Sequence, residues 1–328
     1  MSANDEILKR EIIEKVGPEI GPFKARIFPE GSNFDQILFE NGGLTFSYEN
    51  LIYGSNDCVY VKKDNEGNEV PVMAIEASNC LDTGSSGNAQ YQRFHHAYGA
   101  VKNGIIGVMY YKSGKHKPQP DLYGFTYKIS QQLNTPYLVV HDLKIVKNIL
   151  LLLEKNPDEA QLYIEKIQSE NFEIFKQNFE KLYKNKWEIF CDKRSRIVLG
   201  DRIIYYNMTN LDNLTKGSVR AGHICVGEML LTKAYFPEKS MIYLWPRMTN
   251  NDLKKVKNKK GDKELNILFN TEELDIKTID DLIDVPSELK EDFLFLRNKT
   301  LLGSNLTLKN KSTKRLHALI KSGDIKIL

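Results

Sequence analysis

Apolar residues recur at helical spacing over 3–16, where Ile7, Leu8, Ile12, Ile13 and Val16 repeat every three to four positions. The segment reads as a helix ended by GPEIGP at 17–22. Residues 34–41 read as a second helix, closed by Asn41-Gly42-Gly43. The pattern then shortens to a strand period. DCVYVKK (57–63) and EVPVMAIEA (69–77) read as strands, with DNEGN between them as a hairpin turn. GNAQYQRFHHAYGAVKNG (87–104) returns to a helical pattern and stops at a glycine. IIGVMYY (105–111) and TPYLVVHDL (135–143) read as buried strands on either side of a polar segment. The order hairpin, helix, strand, polar segment, strand is that of a mixed α/β unit.

Farther on, residues 144–188 are helical with a break at Pro157, and IVLGDRIIYY (197–206) reads as strand. GHICVGEMLLTKAYF (222–236) fits either strand or helix. NNDLKKVKNKKGDK (250–263) reads as a basic loop or arm. STKRLHALIKSGDIKIL (312–328) reads as a short helix, a Ser-Gly turn and a final strand. The expected fold class is α/β: a mixed β-sheet core flanked by helices over 1–145, then an α+β region over 146–328.

Composition narrows the class. Of 328 residues, 41% are hydrophobic, enough for a full core. The longest purely apolar run, Ile149 to Leu153, is far below the ~20 residues of a membrane helix, so no membrane span is expected. MSANDEILKR has no basic region followed by an apolar run, so no signal peptide is expected. Cys58, Cys80, Cys191 and Cys225 lie far apart without a CxxC, which argues against a zinc ribbon or disulfide scaffold and fits the cytoplasm. Charge is uneven. Residues 1–100 hold 8 Lys+Arg against 15 Asp+Glu, and the remainder holds 38 against 28. An acidic part joined to a basic one suits a protein that gathers cations in one place and a polyanion in another.

The hairpin carries the candidate chemistry. With the turn centred between Glu66 and Gly67, Val61 faces Val72, Val59 faces Ala74 and Asp57 faces Glu76. Two carboxylates that close, on an apolar strand pair, either share a proton or hold a cation. A hard divalent ion such as Mg²⁺ binds through one or two carboxylates plus water and phosphate oxygens.

An acid opening one strand of a hairpin, a second acid near the end of the next, then a helix and a strand, is similar to the core of the PD-(D/E)xK nucleases. Within that superfamily the segment most resembles the type II restriction endonucleases. The residues are Asp57 in GSNDCVYV and Glu76-Ala77-Ser78 in IEAS, and the resemblance covers roughly 35–143. It implies a prokaryotic, cytoplasmic restriction enzyme that hydrolyses double-stranded DNA with Mg²⁺ held by Asp57, Glu76 and the Ala77 carbonyl. A metal-activated water would attack in line and displace the 3′ oxygen. A palindromic site would imply a homodimer. The family's lysine position holds Ser78. Gln92, Arg93, His96 and Lys102 on the following helix are the candidates for its role, and Glu40 is a candidate further acid.

DNA contacts are expected at two stretches in this half. Asn88, Gln90 and Arg93 follow a Gly-Ser loop at a helix start and carry side chains that read base edges. Lys115 and Lys117 lie in the basic loop SGKHKPQPD (113–121) and suit the DNA backbone. Arg220 and His223, beside glycines in KGSVRAGHICVGE, suit a close approach to DNA, and KKVKNKKGDK (254–263) suits a phosphate arm. The adjacent His95 and His96 point about 100° apart on a helix and do not form a joint metal site. Two alternatives stay open: a repair or junction nuclease that cuts by structure, and a DNA-binding protein that kept the fold without catalysis.

Overall fold

The computed structural model describes residues 3–27, 44–49, 51–81, 93–115, 118–183, 196–215, 220–258, 263–271, 274–297 and 304–328. The chain forms two compact units, Met1–Leu182 and Tyr183–Leu328. The fold is mixed α/β, with a mixed sheet flanked by helices.

The first unit opens with α1 (Ala3–Val16), then β1 (Glu19–Ile20), β2 (Phe23–Ile27), β3 (Thr45–Tyr48), β4 (Leu51–Ser55), β5 (Cys58–Lys63) and β6 (Glu69–Ser78). It continues with α2 (Phe94–Lys102), β7 (Ile106–Tyr111), α3 (Pro120–Leu133), β8 (Tyr137–Val140), α4 (Leu143–Lys155) and α5 (Pro157–Tyr183). Six strands form one sheet in the order β1-β2-β5-β6-β7-β8. Pairing is antiparallel as far as β6 and parallel from β6 to β8.

Strand alternation sends Cys58, Tyr60, Met73, Ile75 and Ala77 to one face, where they meet α1, α4 and α5. Leu8, Ile12 and Val16 of α1 are buried there, at roughly 1.5–3 kcal/mol each. Val59, Val61 and Ala74 point the other way, onto Phe46 of β3 and Ala100 of α2. Gly107 lets α2 close on that face, since a Cβ there would stand 2.4 Å from the Val101 side chain. Leu143, Val146, Ile149 and Leu150 tie α4 to the sheet, so the expected division after residue 145 falls inside this unit.

Two expectations in this unit change. The polar segment between the buried strands contains α3, begun by Pro120 at its first turn. Its polar residues Thr126 and Ser130 are buried because their hydroxyls bond to backbone carbonyls, so the apolar stripe is thinner than the buried one. The hairpin register also shifts. Val59 pairs with Ala74 as expected, but Val61 pairs with Pro71 across a β-bulge that follows Tyr60. The expected helix at 34–41 lies outside the described residues.

The second unit holds β9 (Arg196–Leu199), β10 (Arg202–Tyr206), α6 (Leu211–Thr215), α7 (Arg220–Tyr235), β11 (Ser240–Trp245), α8 (Asn250–Lys257) and α9 (Lys263–Asn270). It ends with β12 (Leu274–Thr278), β13 (Leu282–Ile283), α10 (Ser287–Leu296), α11 (Ser304–Ser322) and β14 (Lys326–Ile327). Its sheet runs β12-β11-β10-β9, parallel except for the β9–β10 hairpin. The expected single strand over 197–206 is that hairpin, turned at Gly200 with φ +56°. Residues 222–236 resolve in favour of a helix, α7. The start of the basic stretch is helical rather than an arm, because Thr249 and Asp252 form a reciprocal cap that starts α8. No helix among the described residues is long and apolar enough to cross a membrane.

Candidate active site

β6 runs on past the start of β5. Strand pairing there ends at Cys58 and Ile75, and the Asp57 N–H donates to the Ile75 carbonyl at 2.9 Å. Asn56 fixes the approach to Asp57. Its backbone N–H (2.8 Å) and side-chain amide (3.1 Å) both donate to the Leu44 carbonyl. Two residues past Ile75 on β6, a side chain takes the ladder's place, and Asp57 Oδ2 accepts the Ala77 N–H at 2.9 Å. A strand residue's N–H and C=O project to the same edge. The Ala77 carbonyl therefore lies on the edge that faces Asp57. Glu76, two residues after Ala74, points to the α2 face of the sheet.

Both acids are buried, Asp57 at 6% exposure and Glu76 at 1%. Burial, and then the neighbouring Glu76 charge, push the Asp57 pKa from 3.8 up to about 8, against the opposing pull of Arg93, the Ala77 N–H and Lys9. Three basic side chains reach the pair. Lys9 of α1 brings its Nζ to 3.8 Å from Asp57 Oδ1. Arg93 Nη1 lies 3.4 Å and His96 Nδ1 3.3 Å from the same Glu76 Oε1. A buried acid pair met by an ammonium, a guanidinium and an imidazole is a candidate site for ion or phosphate chemistry.

Glycine gives His96 its room. Gly54 has φ +114°, and a Cβ there would stand 2.3 Å from His96 Cδ2. Gly54→Ala therefore forces the ring away and strains the backbone. Its expected cost is about 1–3 kcal/mol in urea unfolding. Gly67→Ala is the comparison. It also has positive φ, but nothing lies within 4 Å, so it should cost less than Gly54→Ala. Equal losses would show that His96 does not press on Gly54.

The donor set suits a hard ion. Among the described residues no three His, Cys, Asp or Glu side chains cluster as a metal cage. Two carboxylates and a backbone carbonyl, with water and phosphate completing the shell, fit Mg²⁺ better than zinc. Burial first and the Glu76 charge second raise the Asp57 pKa, and a cation at this point would offset that charge.

The other expected residues divide. Ser78 is buried, and its Oγ accepts the Cys80 N–H at 3.3 Å, so it holds the strand end. Arg93, expected both as a base reader and as a candidate for the lysine role, stands at Glu76. Of the candidates for the lysine role, Arg93 and His96 reach the carboxylates. Lys102 lies at the other end of α2, its Nζ 4.6 Å over the Tyr48 ring. The His95 and His96 rings are nearly perpendicular, with His95 fully buried. Lys115 is exposed; the neighbouring Ser113 and Gly114 line a cavity of about 590 Å³ that also holds Tyr123 and His141. Arg220 begins α7 in the second unit. Glu40, Asn88, Gln90, Gln92 and Lys117 lie outside the described residues.

Lys9 is the site residue that sequence reading missed. It sits in a charged run, Lys9-Arg10-Glu11, that reads as a solvated helix face, yet Lys9 is 7% and Glu11 8% exposed. The one available signal is its place beside Leu8 and three residues before Ile12, on the flank of the buried stripe.

Comparison with protein-family models, curated proteins and solved structures finds no match for this chain.

Proposed function

We propose that this protein is a Mg²⁺-dependent endonuclease that hydrolyses phosphodiester bonds of double-stranded DNA at a short specific sequence, and that it resembles the type II restriction endonucleases. The observation that carries the reading is the buried Asp57–Glu76 pair with Lys9 Nζ 3.8 Å from Asp57. Asp57, Glu76 and the Ala77 carbonyl would hold the ion. Bound Mg²⁺ would supply Lewis-acid polarisation of the phosphate and a water of lowered pKa.

The chain's own groups account for the rest. Lys9 supplies the positive charge that the Ser78 position lacks, from a helix rather than from the strand. Its ammonium, beside Asp57, would offset the negative charge that develops on a phosphate held there. Arg93 and His96 converge on one oxygen of Glu76 and fix its orientation. The Ala77 N–H does the same for Asp57. A two-fold dimer acting on a palindromic site in a prokaryotic cytoplasm completes the proposal.

The test is incubation of the pure protein with phage DNA in Mg²⁺ and in EDTA, beside the Asp57→Ala, Glu76→Ala double variant. Discrete fragments that need Mg²⁺ and vanish in the variant are expected. Nicking only of branched or mismatched substrates would move the reading to a structure-specific nuclease. A specific observation favours a non-catalytic DNA-binding protein as second reading: both carboxylates already face basic groups of the chain. Intact DNA across Mg²⁺, Mn²⁺ and methylated substrates would decide for it.

A further inference from the structure

The last long helix differs from the others in charge. α11 carries Lys309, Lys311, Lys314, Arg315 and Lys321 and no acid between Ser304 and Ser322. Every other described helix of thirteen residues or more includes Asp or Glu. The exposed face of a helix such as α5 balances its lysines with acids three or four residues away, as in Lys166–Glu170 and Lys176–Glu173.

The arrangement on α11 is directional. Ser312, Leu316 and Ile320 are buried, with Leu316 and Ile320 in the core of the second unit. Lys311, Lys314 and Arg315, spaced i, i+3 and i+4, share the opposite, exposed face with Thr307 and Ala318. Among the described residues none of these three cations has an ion pair or hydrogen bond. Like charges one turn apart repel, so the row weakens its own helix in water. A polyanion relieves that repulsion and gains counterion release.

We propose that this face of α11 docks the phosphate backbone of duplex DNA, without reading its sequence. The occupant follows from charge complementarity. A ladder of single-sign cations about one helical turn apart meets the regular charge of a duplex, which carries one charge about every 1.7 Å of axis. The choice of DNA rests on the nucleic-acid reading of the first unit.

The test is binding of fluorescent duplexes of two unrelated sequences, measured by anisotropy in EDTA from 50 to 200 mM KCl. The Lys311→Gln, Lys314→Gln, Arg315→Gln variant is compared with wild type. A control variant carries Lys144→Gln, Lys147→Gln and Lys155→Gln on exposed positions of α4. Circular dichroism melts verify that both variants fold. The α11 variant should lose at least about tenfold in affinity for both sequences, and its log–log salt slope should become shallower by about 2.7. The control should change less than about twofold. An unchanged slope in the α11 variant, a loss no greater than the control's, or wild-type binding to phosphatidylserine vesicles but not to duplex would each overturn the proposal. Because no metal is present, a salt slope that depends on α11 would stand even if the chain cleaves nothing, so the two readings fail separately.

Discussion

Asp57→Asn should abolish Mg²⁺-dependent cleavage of duplex DNA and, in EDTA, raise the melting temperature more at pH 8 than at pH 5. The loss of cleavage would follow from removing one of the two anionic ligands of the proposed ion site. An amide keeps an acceptor for the Ala77 N–H but no charge, and a drop of at least about 10³-fold is expected. The gain in stability follows from proton linkage. The folded protein holds Asp57 at a pKa of about 8, whereas the ordinary value is 3.8. Between those values the unfolded chain has released the proton and the folded chain retains it. Stability therefore falls as pH rises across that window and levels off above it. The substituted amide cannot titrate, so the variant escapes this decline, and a Tm advantage of at least about 3 °C at pH 8 is expected. Melts at both pH values check it. Equal curves would mean that Asp57 ionises freely in the folded protein and that the pair is not electrostatically strained.

Lys9→Met should lower the single-turnover cleavage rate about 10²-fold, with duplex affinity in EDTA within about twofold of wild type. The ammonium beside Asp57 is the cation of α1 that reaches the carboxylates, and in the proposed reaction its contribution would grow as charge develops on the phosphate. Lys9→Arg keeps the charge and should recover part of the rate, although its planar fork does not reproduce a point charge. A purely structural role predicts something else: lowered stability in both variants, with the loss of rate following the loss of folded protein. Measuring the rate at saturating DNA beside a urea melt separates the two cases.

Much of the first unit was legible because its strands are short, alternating and bounded by turn residues. Asp57 and Glu76 stand out as single charges at the edge of apolar runs, and the hairpin that brings them together has an unmistakable turn in Asp64–Asn68. What escaped reading has physical causes. α3 buries hydroxyls satisfied by its own turns, so its pattern looks polar while its environment is not. Lys9 acquires its meaning from a strand far away in the chain, and no local spacing encodes that contact. The β9–β10 pair is joined by so brief a turn, at Gly200, that two strands read as one. Arg93 reaches Glu76, as one of its two expected roles requires, because its helix begins at Phe94 and sets Arg93 at the helix entrance.

The bulge after Tyr60 divides the β5–β6 hairpin into two parts with separate histories open to them. On one side lie the pairs from Tyr60–Met73 to Cys58–Ile75, which lead to the carboxylates; on the other lie Val61–Pro71 to Lys63–Glu69, which lead to the turn. A residue gained or lost near Asp64–Asn68 can be absorbed by reshaping the irregular step, without sliding Asp57 past Glu76. A change of loop length at this turn is thereby uncoupled from the spacing of the two acids.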